Sequence, residues 1–594
     1  MAIEAVLPDW LKSRYDVLWE RFGARSFNFD DALGILRERF GDLESRVLVV
    51  LSELRRRGWL KAGLNEADAR KRVYILKSRE EVLSFYFSLG GGEVTREDLE
   101  RLLKRAADLI RTRVDYTFIL LLLFYKAISD KWVVEYRQAY EDALADGLSE
   151  EEARLEAEKA IFHEFDLPKE YLWDEIRKNV ANLHEKFSEA LKTIASRNPD
   201  LKDVFENVDF MQFATSAENK EILRQLVEIF SSKNLYNVSP DILGDAYEWI
   251  LKYFAPQKAK EGEVYTPREV IRLLVEILDP RSGESVYDPC CGSGGMLILS
   301  YKYVEERYGK EEADKLFLYG QEVNSKTSAL AKMNIYIHGI RNVHLFLGDT
   351  LLSPKIKEDG GIKKFDIVLA NPPWNQDGYD EEMLKKGEFW RERFRFGFPP
   401  QQSADWAWIQ HMLASAKENG RIGLVVDNGC LFRGGKEDEI RRRIIEADLI
   451  ECVILLPEKL FYNAGAPGAI IILRKNKPAD RKGDILFINA SNEYIKHPAV
   501  RRLNSLSDEN IRHIAEAYKN FKDIEGFAKV VSLEEIRAND YNLNVTLYVM
   551  PAEKGEEIDI FKEFEELKAI EAERAETIAK LEEYIQQIRE AINE

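Results

Sequence analysis

Between residues 262 and 490 short β-branched runs alternate with helical stretches, and no other feature constrains the fold of this chain as strongly. The runs are SVYDP (285–289), LFLYGQE (316–322), HLFLGD (344–349), DIVLANPP (366–373), RIGLVVDN (421–428), IECVILLPE (450–458) and AIIILRK (469–475). Near-continuous apolar runs separated by helical patterns imply crossover units, and hence a mainly parallel sheet covered on both faces. In such a sheet ligands gather beyond the carboxyl ends of the strands. Four successive run ends carry unusual polar residues: Asp288 with the turn PCCGSGG, Glu322, Asp349, and then Asn371-Pro372-Pro373-Trp374.

The rest of the 594 residues divides by pattern. Residues 1–90 read as a winged-helix-like module: helical stretches around 9–22, 29–39 and 43–57 precede two short strands flanking a polar loop. Ser45 to Arg57 would be the recognition helix and Leu64 to Arg72 the wing. Its basic cluster, Arg55, Arg56 and Arg57 with Arg70, Lys71 and Arg72, suits phosphate contact or the solvated rim of a protein-docking surface, and the sequence leaves both open. Residues 98–250 are helical in pattern, residues 251–500 hold the α/β domain, and 501–594 form a helical, coiled-coil-like tail. In that tail apolar residues at 560, 564, 567, 578, 581, 585, 588 and 592 step by alternate threes and fours, with Glu571 and Arg574 at the two intervening seam positions.

Several classes of function are disfavoured. The longest apolar run, FILLLLFY at 118–125, falls far short of the roughly 20 residues of a membrane span. No secretion signal opens the chain, so a cytoplasmic location is expected. Four cysteines and seven scattered histidines show no metal-ligand spacing. A net charge of −19 disfavours tight DNA binding by the chain alone, because non-specific affinity comes from neutralising phosphates; if DNA is the substrate, a partner has to help hold it.

The strand ends favour a nucleoside. Gly292, Gly294 and Gly295 fall where a strand must turn tightly into a helix and let a ligand approach the backbone. The spacing is neither G-x-G-x-x-G nor a P-loop, which disfavours a dinucleotide or an ATPase. Glu322 can accept both hydroxyl hydrogens of a ribose, and Asp349 the amino group of an adenine. The Asn371 side-chain oxygen and the Pro372 carbonyl can each accept one N–H of an exocyclic amine, leaving its lone pair aimed at an electrophile. Pro372 and Pro373 stiffen the loop, and Trp374 offers a face on which an extruded base can stack. Taken alone, N-P-P-W is equally a rigid turn that caps a strand.

Together EVYTPREV (263–270), DPCCGSGG (288–295), LGDTLL (347–352), DIVLANPPW (366–374) and FPPQQSADWAWIQHML (398–413) resemble the modification (M) subunit of type I restriction–modification systems, an S-adenosylmethionine-dependent DNA adenine-N6 methyltransferase. The resemblance covers residues 98–594. It implies a Rossmann-like methyltransferase domain, preceded by a helical domain that includes YEWILKYFA (247–255). It also implies that Glu263, Val264, Tyr265, Thr266, Pro267 and Arg268 line the cofactor pocket. By the same resemblance Asp288, Gly292, Ser293, Gly294 and Gly295 cradle the cofactor, Glu322 holds its ribose and Asp349 lies near its adenine. Asn371, Pro372, Pro373 and Trp374 would then handle the target base, with no metal.

The implied partners are double-stranded DNA, a specificity (S) subunit met through the C-terminal helix and helical domain, a second M subunit and a restriction (R) subunit. Cys290 and Cys291 stand where the family more often has alanine, and the module at 1–90 precedes the family's usual start. Cytosine-N4 transfer, another amine or amide acceptor, and a silent DNA-binding scaffold are the alternatives.

Overall fold

The structure is a computed structural model. It describes residues 9–550 apart from 57–58, 66–67, 79–93, 111–113, 146–147, 206–207, 236–237, 239, 261–265, 462–466, 498–499 and 501, together with 564, 567–568, 570–572, 574–575, 577–581 and 585. Two units are distinguished: residues 1–262 with 291–301 and 320–348, and the remainder.

In the first unit, helices Asp9–Phe22, Phe29–Phe40 and Glu44–Arg56 alternate with strand Phe27–Asn28 and lead into the antiparallel strands Leu60–Asn65 and Asp68–Leu76. The elements here run in the order helix, strand, helix, helix, hairpin. Asn28 and Asp31 form a reciprocal capping box that starts the second helix, and Gly41 in the left-handed region ends it. Leu11, Leu18, Leu36, Val47, Leu54 and Trp59 close the core. The helix expected to read DNA, however, turns Leu48 and Val49 to solvent. The side chains of the two basic clusters lie outside the described residues.

The helical part begins at Arg96–Ile110, where Thr95 Oγ accepts from the Asp98 amide. Its buried residues Leu99, Leu102, Leu103, Ala106, Ala107 and Ile110 follow helical spacing. The FILLLLFY run lies in helix Thr117–Ala145 and is buried all round, which marks a core helix. Phe118 meets Phe210 and Phe213 edge-on, and Tyr125 meets Phe187. Among the described residues no helix is long and apolar enough to cross a membrane.

This helical part grips helix Ser325–Ile337 and the residues after it. Tyr247 Oη donates to the Leu330 carbonyl at 3.0 Å, Phe165 meets Tyr336 edge-on, and Glu164 pairs with Arg341. Gly244 lies so close to His338 that a Cβ there would come within 2.2 Å of its ring, so only glycine fits.

Among the described residues the central sheet has nine strands, labelled here β1 Ser285–Asp288, β2 Phe317–Glu322, β3 Val343–Leu347, β4 Phe365–Ala370, β5 Ala416–Asp427, β6 Ile450–Leu455, β7 Gly468–Arg474, β8 Asp484–Asn489 and β9 Ala528–Ser532. Their order across the sheet is β9-β8-β6-β7-β5-β4-β1-β2-β3. β4 runs parallel to β1 and β5, and β6 parallel to β8. β7 is inserted antiparallel between β5 and β6, and β9 closes one edge antiparallel to β8. All seven runs read from sequence are strands. The structure adds β8 and β9, so the sheet continues past residue 500, where the sequence reading had placed a helical tail. β9 is a five-residue edge strand with mixed exposure, too short for its pattern to stand out.

Candidate active site

In the first unit the glycine turn and the end of β2 are fastened to each other. Gly292 and Gly294 take positive φ, +52° and +82°, so both positions strain any residue with a Cβ. A Cβ on Gly294 would also lie 3.1 Å from Ile335. A Cβ on Gly292 would meet nothing within 4 Å, so that side of the turn is open. The Gly292 amide donates to Glu322 Oε2 at 3.0 Å, and the Asn324 amide to Glu322 Oε1 at 2.9 Å. The Gly348 amide donates to the Glu322 carbonyl at 2.9 Å, which ties the end of β3 to that of β2. Asn334 Nδ2 donates to the Ser293 carbonyl at 3.0 Å, while its buried Oδ1 has no partner among the described residues.

Gly320 in β2 is packed by Leu345, Cys291 and Leu297, which would lie 2.6, 3.0 and 3.1 Å from an added Cβ. Gly320→Ala is therefore expected to destabilise the protein by about 1–3 kcal/mol through overpacking. A lowered Tm in thermal denaturation checks this.

In the second unit Asp288 Oδ1 accepts from the Cys290 amide at 3.0 Å. Asp349, the residue after Gly348, accepts from the Leu352 amide at 3.1 Å and from Tyr379 Oη at 2.8 Å. Burial and the bond to Asp349 push the Tyr379 phenol up, so it stays protonated as a donor. Arg393, 1% exposed, donates to the carbonyls of Thr350, Leu351 and Glu388 at 3.0, 2.7 and 2.6 Å. The guanidinium thus stitches down the segment that follows Asp349. Burial pushes its pKa down to about 10, and burial beside Arg393 pushes His411 well below its usual range, so that the imidazole is neutral.

Because β1, β4 and β5 are parallel, their carboxyl-end residues Asp288, Asn371 and Asp427 lie on one edge of the sheet. Asn371 Nδ2 donates to Thr266 Oγ at 2.8 Å, and Trp374 Nε1 donates to Asn371 Oδ1 at 2.9 Å. An indole N–H only donates, so the amide orientation is chemically forced. Oδ1 keeps one lone pair. Trp374 is half-buried, its ring 4.8 Å from Phe461 at 66°, and Gly468 leaves room for both rings, since a Cβ there would lie 2.8 Å from Phe461. Pro372 is buried and Pro373 exposed.

The loop beyond is fastened as well. The Asn375 amide donates to Asp405 Oδ1 at 3.0 Å, and Trp408 Nε1 to Gln376 Oε1 at 3.0 Å. Asp405 and Glu437 are buried, and Arg433 pairs with both and with Asp427. The SADWAW segment is thus the clamp on the Asn-Pro-Pro-Trp loop.

Of the expected cofactor residues, Glu263, Val264 and Tyr265 lie outside the described residues. Pro267 is buried just before helix Arg268–Leu278, and Arg268 opens that helix half-buried. Sequence reasoning missed Tyr379, Arg393 and Arg433.

A sheet of this strand order, with a glycine turn and acidic strand ends, defines a methyltransferase. A family model for N-6 DNA methylase matches residues 238–557, and one for the HsdM N-terminal domain residues 99–230. The type I restriction enzyme MjaVII methylase subunit of Methanocaldococcus jannaschii is 46% identical over 99% of both chains. The HindI methylase subunit of Haemophilus influenzae is 34% identical over 66% of this chain and 89% of its own. A solved type I restriction-modification methyltransferase subunit from Streptococcus thermophilus aligns with a TM-score of 0.65 at 27% identity, over 77% of this chain and 100% of that one. The chain belongs to the N-6 DNA methylase family, among the methylase subunits of type I restriction enzymes, and it is a DNA methyltransferase. The match to the MjaVII subunit extends over the N-terminal module, which the HsdM model does not reach.

Proposed function

We propose that the chain transfers a methyl group from S-adenosylmethionine to the N6 amine of adenine in double-stranded DNA, as the modification subunit of a complex whose sequence reading is done by a separate S subunit. The observation that carries this reading is the clamped Asn371 amide, whose one uncommitted lone pair sits on a side chain fixed by Thr266 and Trp374.

The residues present fit the cofactor. The open side of Gly292 admits a ligand, the Glu322 carboxylate beside that turn is of the acceptor type that ribose hydroxyls need, and the orphaned Asn334 oxygen calls for a donor such as an ammonium. When bound, the cofactor supplies an electrophilic methyl on a sulfonium. Ser293, Gly294 and Gly295 form the cradle, and Asp349, oriented by Tyr379, takes the adenine amino group.

Asn371 Oδ1 and the Pro372 carbonyl accept the two hydrogens of the target amine, which favours a pyramidal nitrogen and exposes its lone pair. No strong base is required, because the amine becomes acidic only once alkylated, and its proton then passes to water. Trp374 and the prolines hold the extruded base.

The acidic chain and the exposed apolar stripe on its C-terminal helix support the division of labour with an S subunit, a second M subunit and an R subunit. Glu322→Ala is expected to weaken S-adenosylmethionine binding by about 10- to 100-fold, the worth of hydrogen bonds to a charged group. Titration calorimetry reads this directly, and an unchanged Kd removes Glu322 from the cofactor site.

A further inference from the structure

From Tyr494 to Ser507 the chain carries Lys496, Arg501 and Arg502 and no carboxylate, a local excess of positive charge in a protein of net −19. Within this stretch strands Ile495–Lys496 and Asn504–Ser505 pair as an antiparallel hairpin. Buried Asn504 anchors it. Its amide donates to the Lys459 carbonyl and its Nδ2 to the Glu458 carbonyl, both at 2.9 Å, while its Oδ1 accepts from Lys496 Nζ at 3.1 Å. The turn held in this way leads into Phe461, whose ring packs on Trp374. Beside Asn504, Ser505 Oγ donates to Glu269 Oε1 at 2.7 Å, just after the Thr266 that holds Asn371. The hairpin is therefore fastened to both segments that position the Asn-Pro-Pro-Trp loop.

Its outer surface suits a polyanion. Lys459, Lys496 and Arg502 are exposed. The Lys496 ammonium lies 5.2 Å from the centre of the Tyr494 ring, so it rests on an aromatic face and keeps N–H donors beyond the one given to Asn504. Neighbouring carboxylates are engaged elsewhere: Glu269 by Ser505, Glu493 by Asn510, and Asp508 by Arg272. Exposed Glu458 offsets one of the three charges.

We propose that this hairpin, with Lys459, grips the DNA backbone beside the nucleotide that Asn371 receives, and that Lys459, Lys496 and Arg502 each meet phosphate oxygens. Once a base leaves the stack, the phosphates on either side of it are what a protein can hold to keep the strand in register. An acidic chain can hold them only where its cations gather and its carboxylates are occupied. The inference rests on the reading of Asn371 as the receiver of the target base. Its readout is DNA binding without methyl transfer, so the two fail separately.

The test is equilibrium binding of a duplex bearing the methylation site to the full chain in complex with the S subunit proposed above, over a series of salt concentrations. Lys459→Gln, Lys496→Gln and Arg502→Gln should each weaken binding by roughly 3- to 10-fold and flatten the plot of log affinity against log salt by about 0.9. The triple variant should flatten it by about 2.7. Cofactor affinity at the wild-type value will confirm folding, and Lys522→Gln, beyond the far end of helix Asp508–Asn520, should bind DNA as the wild type does. Uncharged methylphosphonates in place of the phosphates flanking the target base should weaken the wild type by a similar factor and the triple variant far less. Unchanged affinity and salt dependence in the triple variant, a methylphosphonate effect equal in variant and wild type, or a loss traced by sedimentation to release of the S subunit would each overturn the proposal.

Discussion

Asn371→Ala should lower methyl transfer into DNA by roughly 10²–10³-fold or more, the scale lost when one preorganised polar group at a reacting centre is removed. The loss should fall on the rate of the chemical step. Asn371 is bonded to Thr266 and Trp374 rather than to the glycine turn, so cofactor affinity should remain near wild type. Trp374→Phe keeps a ring against Phe461 but removes the N–H that orients the amide. It should show a smaller loss of the same kind. Single-turnover transfer of labelled methyl, measured beside a cofactor titration, separates the two effects. A variant that bound cofactor normally and transferred methyl at the wild-type rate would remove Asn371 from the chemistry.

The second large effect is expected at Arg433. Its guanidinium is the shared cation of Asp405, Asp427 and Glu437, two of which are buried. Arg433→Met leaves those carboxylates uncompensated, at a cost of about 3–5 kcal/mol. It should also loosen the loop that Asp405 holds through the Asn375 amide. Burial pushes the Asp405 carboxyl above its ordinary value, while Arg433 pulls it back. A raised carboxyl favours the protonated form in the fold. Its contribution is therefore full below the unfolded carboxylate pKa and is lost as pH rises through the raised value. Removing Arg433 enlarges that rise, so the stability penalty of Arg433→Met should shrink as pH falls from neutrality into the acid range and Asp405 takes up a proton. Thermal denaturation across that range gives the answer. A penalty independent of pH would show that the network does not carry the charge balance assigned to it.

The strands and their polar ends were legible because each rests on local pattern: a near-continuous apolar run, then a residue type out of place at a strand tip. The helices Asp9–Phe22, Phe29–Phe40 and Glu44–Arg56 were legible from apolar spacing in the same way. Tyr379, Arg393 and Arg433 were not. A buried guanidinium that satisfies the carbonyls of Thr350 and Leu351 from about 40 positions away leaves no periodicity and no motif. The bond from Asn371 to Thr266 spans 105 residues, and only the fold brings them together. The face of helix Glu44–Arg56 is instructive in the opposite sense. A run of arginines drew attention to phosphate contact, whereas Leu48 and Val49 stand exposed on that helix, a surface better suited to a protein than to base edges.

The central claim is that this chain's Asn-Pro-Pro-Trp loop presents an adenine amine for methylation. Its most direct test is the identity of the base that takes up label when the chain, with the S subunit proposed above, is incubated with DNA and methyl-labelled S-adenosylmethionine. Hydrolysis of the DNA should return the label as N6-methyladenine, with essentially none from Asn371→Ala. Label recovered as N4-methylcytosine, or N6-methyladenine formed equally by the variant, would contradict the account.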